Sequence, residues 1–229
     1  MAQPEAKEII LRLLKEKSVL KQDVYHQTIA IFKELKSVVQ ELTKELEQDA
    51  KQIDRRLVIE FADKSEFEFE LRVAGDVLIF HMHTNVFEFD KTHPLWRSSY
   101  VRDNPSNSFC GQISIYNFLN DSFKFNRLND VGYLIGRVFI NSEKHYFVDG
   151  KRQLGFLYND FVNNLIDKAA LRRITESLII YALDFDLYTP PFDAVKEVSV
   201  MQLMETSISN NVKTAKRLGF KFQSDNDIG

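Results

Sequence analysis

The chain has 229 residues, 44% hydrophobic and 28% charged, a balance that excludes both a disordered chain and a bundle of membrane spans. With 30 Lys+Arg against 33 Asp+Glu the formal net charge is −3, so no basic field exists for nucleic acid and such a partner is not expected. Cys110 is the single cysteine. That excludes an internal disulfide and a Cys-based zinc knuckle, and fits a reducing, cytoplasmic setting.

The N-terminus, MAQPEAKEIILRLLKEK, puts charges on both sides of a short apolar core and lacks a signal-peptide h-region. The longest apolar run, near 178–183, falls short of the roughly 18–20 residues a membrane span needs. A chain with no membrane partner is expected.

The first 54 residues read as a helical element. A short helix is predicted over 4–17, with Ile9, Ile10, Leu13 and Leu14 as its apolar stripe. A longer one is predicted over 21–53. There Tyr25, Thr28, Phe32, Leu35, Val39, Leu42, Leu46, Asp49 and Ile53 follow a 3-4 spacing, a heptad seam with one polar break. Such a seam packs either against the rest of the chain or against a second copy or partner helix through residues 25–53.

From Arg56 the apolar period becomes two. Leu57, Ile59 and Phe61 alternate, and Phe67, Phe69, Leu71 and Val73 alternate with Glu66, Glu68, Glu70 and Arg72, which marks a sheet with one wet face. Further strands are predicted over 77–84, 112–118, 122–126, 131–140 and 144–148. Asp149-Gly150 reads as a hairpin turn joining 144–148 to 151–157. Between Lys91 and Phe109 lies a stretch without period, holding Trp96, Arg97 and Tyr100; it is either a lid or irregular structure packed by its own rings.

Helix returns over 160–182 and again over 194–218, closed by Gly219, with 223–229 as a flexible tail. The order is helices, then consecutive strands, then helices. It predicts an α+β fold with a mostly antiparallel sheet over about residues 56–157. The predicted division is 1–54, 55–222 and 223–229.

Four groups of residues carry candidate chemistry. His81 and His83 stand two apart on a predicted strand, so their rings share a face and suit a divalent transition metal. Gly75, His81, Met82, His83 and Glu88 resemble the first half of the motif of cupin metalloproteins. That resemblance implies a metal held by His81, His83 and Glu88 in a small antiparallel barrel; independently of it, Trp96 and Tyr100 on the long loop are candidates to shield such a metal as a lid. Leu95 stands at the glycine position of that motif, and its second half has no counterpart. The plainer alternative is a strand with two hydrogen-bonded histidines.

Asp184 and Asp186, with Asp193 near, form an Asp-x-Asp that can chelate a nucleotide-bound cation; Asp193 alternatively caps the last helix. Residues 116–130 interleave rings with Lys124 and Arg127, and Arg137, Lys151 and Arg152 extend a modest basic surface. Cys110 is either a nucleophile or a small buried thiol.

Neither a dinucleotide nor a nucleoside-triphosphate glycine loop occurs among the 8 glycines. The leading expectation is therefore a cytoplasmic, non-catalytic binding or assembly protein that uses its N-terminal amphipathic helix, alone or as a homo-oligomer. A metal-dependent enzyme or sensor at His81 and His83 is the first alternative. A nucleotide-handling enzyme is the second.

Overall fold

Helix-favouring sequence in the N-terminal third builds one continuous rod rather than two helices. The computed structural model describes residues 5–128, 130–151, 153–185, 193, 196–197 and 199–201. In it α1 (Ala6–Leu13) runs through a π-helical stretch, Leu14–Ser18, into α2 (Val19–Ile53). The expected break at 18–20 is absent because Ser18 keeps helical dihedrals and its side chain caps nothing. At 1.5 Å per residue the rod is about 70 Å long.

The heptad seam is present, and this chain's own sheet uses its middle. Thr28, Phe32, Leu35, Val39 and Leu42 are buried, as are Ile31 and Val38, since a stripe facing a sheet is wider than a coiled-coil seam. Tyr25 and Leu46 are partly buried, and Asp49 and Ile53 are exposed.

The strands form a mostly antiparallel α+β sheet, as predicted. β1 (Ile59–Ser65), β2 (Glu68–Val73), β3 (Asp76–Met82), β4 (Phe87–Glu88), β5 (Phe109–Leu119), β6 (Tyr133–Ile140) and β7 (Tyr146–Gly150) pair antiparallel in the order β1-β2-β3-β5-β6-β7. β4 pairs the start of β5, beyond the end of β3. One sheet face carries Phe69, Leu71, Leu78, Phe80, Ile113, Ile115 and Val138, all buried beneath α2 and α6 (Lys168–Leu183). Burying that many large apolar side chains, at roughly 1.5–3 kcal/mol each, is what holds the helices to the sheet. Lys168 and Arg172 on α6 reach Glu41 and Glu45 on α2 at 2.8–2.9 Å, tying the helices at the surface.

α2 crosses β5 at its closest point over Gly111. A Cβ there would meet Thr28 Oγ1 at 2.0 Å, so glycine is what lets helix and strand touch. Thr28 answers its own hydroxyl by donating to Val24 O at 2.7 Å, as a buried polar group must.

On the opposite face, Glu68, Glu70 and Arg72 stay half-buried toward the β1–β3 side. Toward β6 and β7 the same face is covered. The aperiodic segment after Lys91 folds into short turns and α3 (Ser99–Asp103), packed by its own aromatic side chains. It closes a second small core of Val101, Cys110, Phe139, Phe147 and Phe161, flanked by Phe89, Leu95, Trp96 and Tyr100.

Three further predicted elements differ. Residues 122–126 are not a strand: α4 (Asn120–Lys124) forms there, ended by Asn126 at φ 51°. Asn120, Asp121 and Ser122 favour a helix start over a strand, and their burial outweighs the alternation of Phe123 and Phe125. Asp149-Gly150 is not a hairpin turn. Neither residue has positive φ, β7 pairs with β6, and α5 (Gln153–Leu157) follows. The positive φ falls instead on Ala74 (53°) between β2 and β3 and on Lys144 (68°) between β6 and β7. The predicted helix over 160–182 starts only at Lys168, where Asp167 accepts the Ala170 N–H at 2.6 Å as N-cap. Residues 160–166 instead run beside β7, with Tyr146 N donating to Asn164 O and Ile166 N to Lys144 O. The predicted helix over 194–218, Gly219 and the 223–229 tail lie almost wholly outside the described residues.

Candidate functional site

The predicted metal ligands occupy three separate settings. His81 is exposed on the open face of β3, between Glu68 and Ser114 of the neighbouring strands. His83 lies just past β3, half-buried, its Nδ1 accepting the Asn85 N–H at 3.0 Å and its ring edge-on to Phe87. Glu88 is exposed on β4 opposite Phe109. Among the described residues no three His, Cys, Asp or Glu side chains gather as a group able to hold a metal ion. Trp96 and Tyr100, the proposed shield, turn into the second core. Trp96 Nε1 donates to Phe89 O at 3.0 Å, and the Tyr100 hydroxyl donates to Glu143 and accepts from Asn141 Nδ2 at 2.9 Å. Burial and the neighbouring Glu143 carboxylate push the Tyr100 phenol well above its ordinary range.

Asp184 ends α6, Asp193 is exposed and pairs with Lys196 at 3.1 Å, and Asp186 lies outside the described residues. Arg127 is held by Asp130 at 2.7 Å and Lys124 lies over the Phe125 ring, so both cations of the 116–130 stretch are engaged locally. Lys151 is exposed, and Arg152 lies outside the described residues. Cys110 is fully buried, and burial pushes its thiol far up, which leaves it inert rather than nucleophilic.

Two features stand out; motif reading missed the first, while the second exposes the apolar stripe read from the sequence. The first is a cleft of about 820 Å³ beside the second core, between the 89–98 segment and α5. Phe89, Phe139, Phe147 and Phe161 line it, with Phe139 and Phe147 stacked at 5.0 Å and Phe161 edge-on to Phe147. Arg137 lies over the Phe139 ring, and both its Nε, at 3.1 Å, and its Nη2 donate to Asp149 Oδ2. His93 packs against Phe89 with its ring tilted, centroids 4.6 Å apart, its Nδ1 accepting the Leu95 N–H. Burial lowers the His93 pKa, and the Asp149 charge partly opposes that. Asp160 also lines the cleft, its carboxylate accepting from the Asn163 amide and backbone.

The cleft depends on the two glycines around α5. A Cβ at Gly155 would stand 2.6 Å from Gly150 O, so α5 sits directly on the end of β7. A Cβ at Gly150 would likewise meet Leu154 Cβ at 2.8 Å, so Gly150 serves close approach and not a turn, which is why a turn motif was the wrong signal.

The second feature is the start of the rod. Ile10, Leu13 and Leu14 are 57%, 45% and 51% exposed, and α1 has no buried residue. The first buried side chain along the rod is Val24. Residues 6–19 therefore form a preformed helical arm of about 20 Å, with its apolar stripe open. No helix among the described residues is long and apolar enough to cross a membrane.

Comparison with protein-family models, curated proteins and solved structures finds no match for this chain.

Proposed function

We propose that the chain is a non-catalytic cytoplasmic assembly protein whose N-terminal arm pairs with the arm of a second copy. The observation that carries this reading is the open aliphatic stripe of Ile9, Ile10, Leu13 and Leu14 on a helix that makes no core of its own. An isolated helix of that length is marginal in water, so continuity with α2 is what keeps the arm folded and presents it ready to bind. The middle of the heptad seam serves the chain's own core, which moves the contact from residues 25–53 to residues 6–19.

A second copy suits the stripe better than an unrelated helix because the stripe is two-fold symmetric in composition. An antiparallel pairing centred between Leu11 and Arg12 stacks Ile10 of each copy on Leu13 of the other. Antiparallel arms also place the two sheet domains at opposite ends, so they do not collide. Two helical turns of contact predict a weak, concentration-dependent dimer. The single buried thiol is consistent with a reducing compartment.

Sedimentation equilibrium of the full chain tests the reading. A monomer–dimer equilibrium in the micromolar range is expected, abolished by Ile10→Glu with Leu13→Glu. Both positions are exposed, so the melting temperature of the monomer stays unchanged. A wild-type chain that is monomeric up to about 100 μM, where a contact worth ~5.5 kcal/mol would be half formed, overturns it.

A further inference from the structure

We infer that the cleft between the 89–98 segment and α5 binds a small flat cation: an aromatic or heteroaromatic ring bearing an amine, amidine or guanidine. The inference is independent of arm pairing, because the cleft lies on the sheet face opposite α2 and involves no residue of the rod.

Shape selects the ring. Phe89, Phe139, Phe147 and Phe161 pack on one another, so one side of the cleft is a rigid aromatic surface, and His93 extends it as a further flat face. Phe156 of α5, 85% exposed, also lines the cleft. A large apolar ring left in water on a surface loop is ordinary. This one lines a cleft, on a helix that the Gly150–Gly155 contact presses onto β7. A flat ligand entering there covers the Phe156 ring and gains a second aromatic contact with the floor.

Charge selects the cation. Among the described residues lining the cleft the cationic side chain is Arg137, and it is already committed to Asp149 through two of its N–H groups. Asp160 is a second carboxylate lining the cleft, and its partners, the Asn163 amide and backbone N–H, are neutral. His93 accepts a backbone N–H at Nδ1, so its neutral form suits its place. The described lining thus carries one carboxylate more than it has cations, and an amidinium or ammonium at the rim supplies the missing charge and cation–π contact with the phenylalanines while its ring packs on them.

The test is an NMR titration of the full chain with three compounds of similar size: benzamidine, benzoate and benzyl alcohol. Benzamidine is expected to give saturable shifts at Gly150, Phe156 and Asp160 with a low-millimolar Kd, the strength a ligand of so few atoms reaches. Benzoate is expected to bind at least about tenfold more weakly. Phe156→Ala weakens benzamidine roughly three- to tenfold. Asp160→Asn weakens it roughly two- to fivefold while leaving benzyl alcohol unchanged. Both side chains are exposed, so neither change threatens the fold. Absence of saturable benzamidine shifts at the cleft, saturation elsewhere, or benzoate binding as tightly as benzamidine overturns the assignment.

Discussion

Replacing Gly111 by alanine tests the helix–sheet contact on which the fold depends. The new Cβ would stand 2.0 Å from Thr28 Oγ1 and 2.8 Å from both Thr28 Cβ and Cγ2. Carbon atoms in contact rest at about 3.5–4.0 Å, so the overlap is near an ångström. Turning the Thr28 side chain does not cure it, because Cβ is fixed to the helix. α2 must therefore lift from β5, loosening the neighbouring contacts of Ile31 and Phe32 with the sheet. Overpacking of this kind costs about 1–3 kcal/mol, and a clash with a Cβ belongs at the upper end, ~3 kcal/mol. Thr28→Ala alone loses a methyl and the bond to Val24 O, about 1 kcal/mol. In the double variant the hydroxyl and methyl are gone, so part of the clash is relieved. The two effects should then sum to about 1–2 kcal/mol less than additive. Urea unfolding followed by circular dichroism measures all four corners of the cycle. A Gly111→Ala chain within about 0.5 kcal/mol of wild type, or strict additivity, refutes the close crossing.

Other expectations follow from the second core. Cys110 should resist a thiol reagent such as Ellman's reagent in the native protein and react fully in denaturant, since it is buried and its thiol is pushed up; rapid native labelling contradicts that placement. Tyr100→Phe keeps the ring against His145 and Phe161 but removes the bonds to Glu143 and Asn141, a loss of about 1 kcal/mol by urea unfolding; an unchanged midpoint contradicts it. His93 is held below its ordinary range by burial. A depressed folded pKa means the unfolded chain binds the proton first, so this stabilisation is present above pH ~6.5 and fades as pH falls through the folded value. An NMR titration placing the His93 midpoint at or above ~6.5 contradicts it.

The strands were legible in the sequence wherever one face stayed wet. Glu68, Glu70 and Arg72 alternate with Phe69, Leu71 and Val73, and this alternation marks β2 and its buried side directly. The seam in α2 was legible too, but not what covers it: a 3-4 apolar spacing describes a stripe, and a sheet satisfies that stripe as well as a helix does. Local polar chemistry misled in two places. Phe123 and Phe125 alternate as in a strand, yet Asn120, Asp121 and Ser122 start a helix. Asp149-Gly150 matches a turn, yet Arg137 holds Asp149 from the adjacent strand and Gly150 makes room for α5. The cleft left no motif because its parts, His93, Arg137, Asp149 and Phe156, come from four separated segments that only the fold brings together. The one hint was the aperiodic stretch after Lys91, which does wall the cleft.

Pairing of the arms is tested most directly by distance. A spin label at Arg12→Cys, with Cys110 buried and unreactive, places one label per copy beside the proposed two-fold. Arms packed at the usual 8–10 Å between axes predict a label–label distance of about 20–30 Å in double electron–electron resonance on the full chain. A label at Asp49→Cys sits 37 residues along each rod, so the two labels lie more than ~100 Å apart and give no dipolar signal. A short distance at position 12 with none at position 49 is the predicted result. No short distance at position 12 in concentrated protein, or one at position 49 as well, contradicts assembly through the arm.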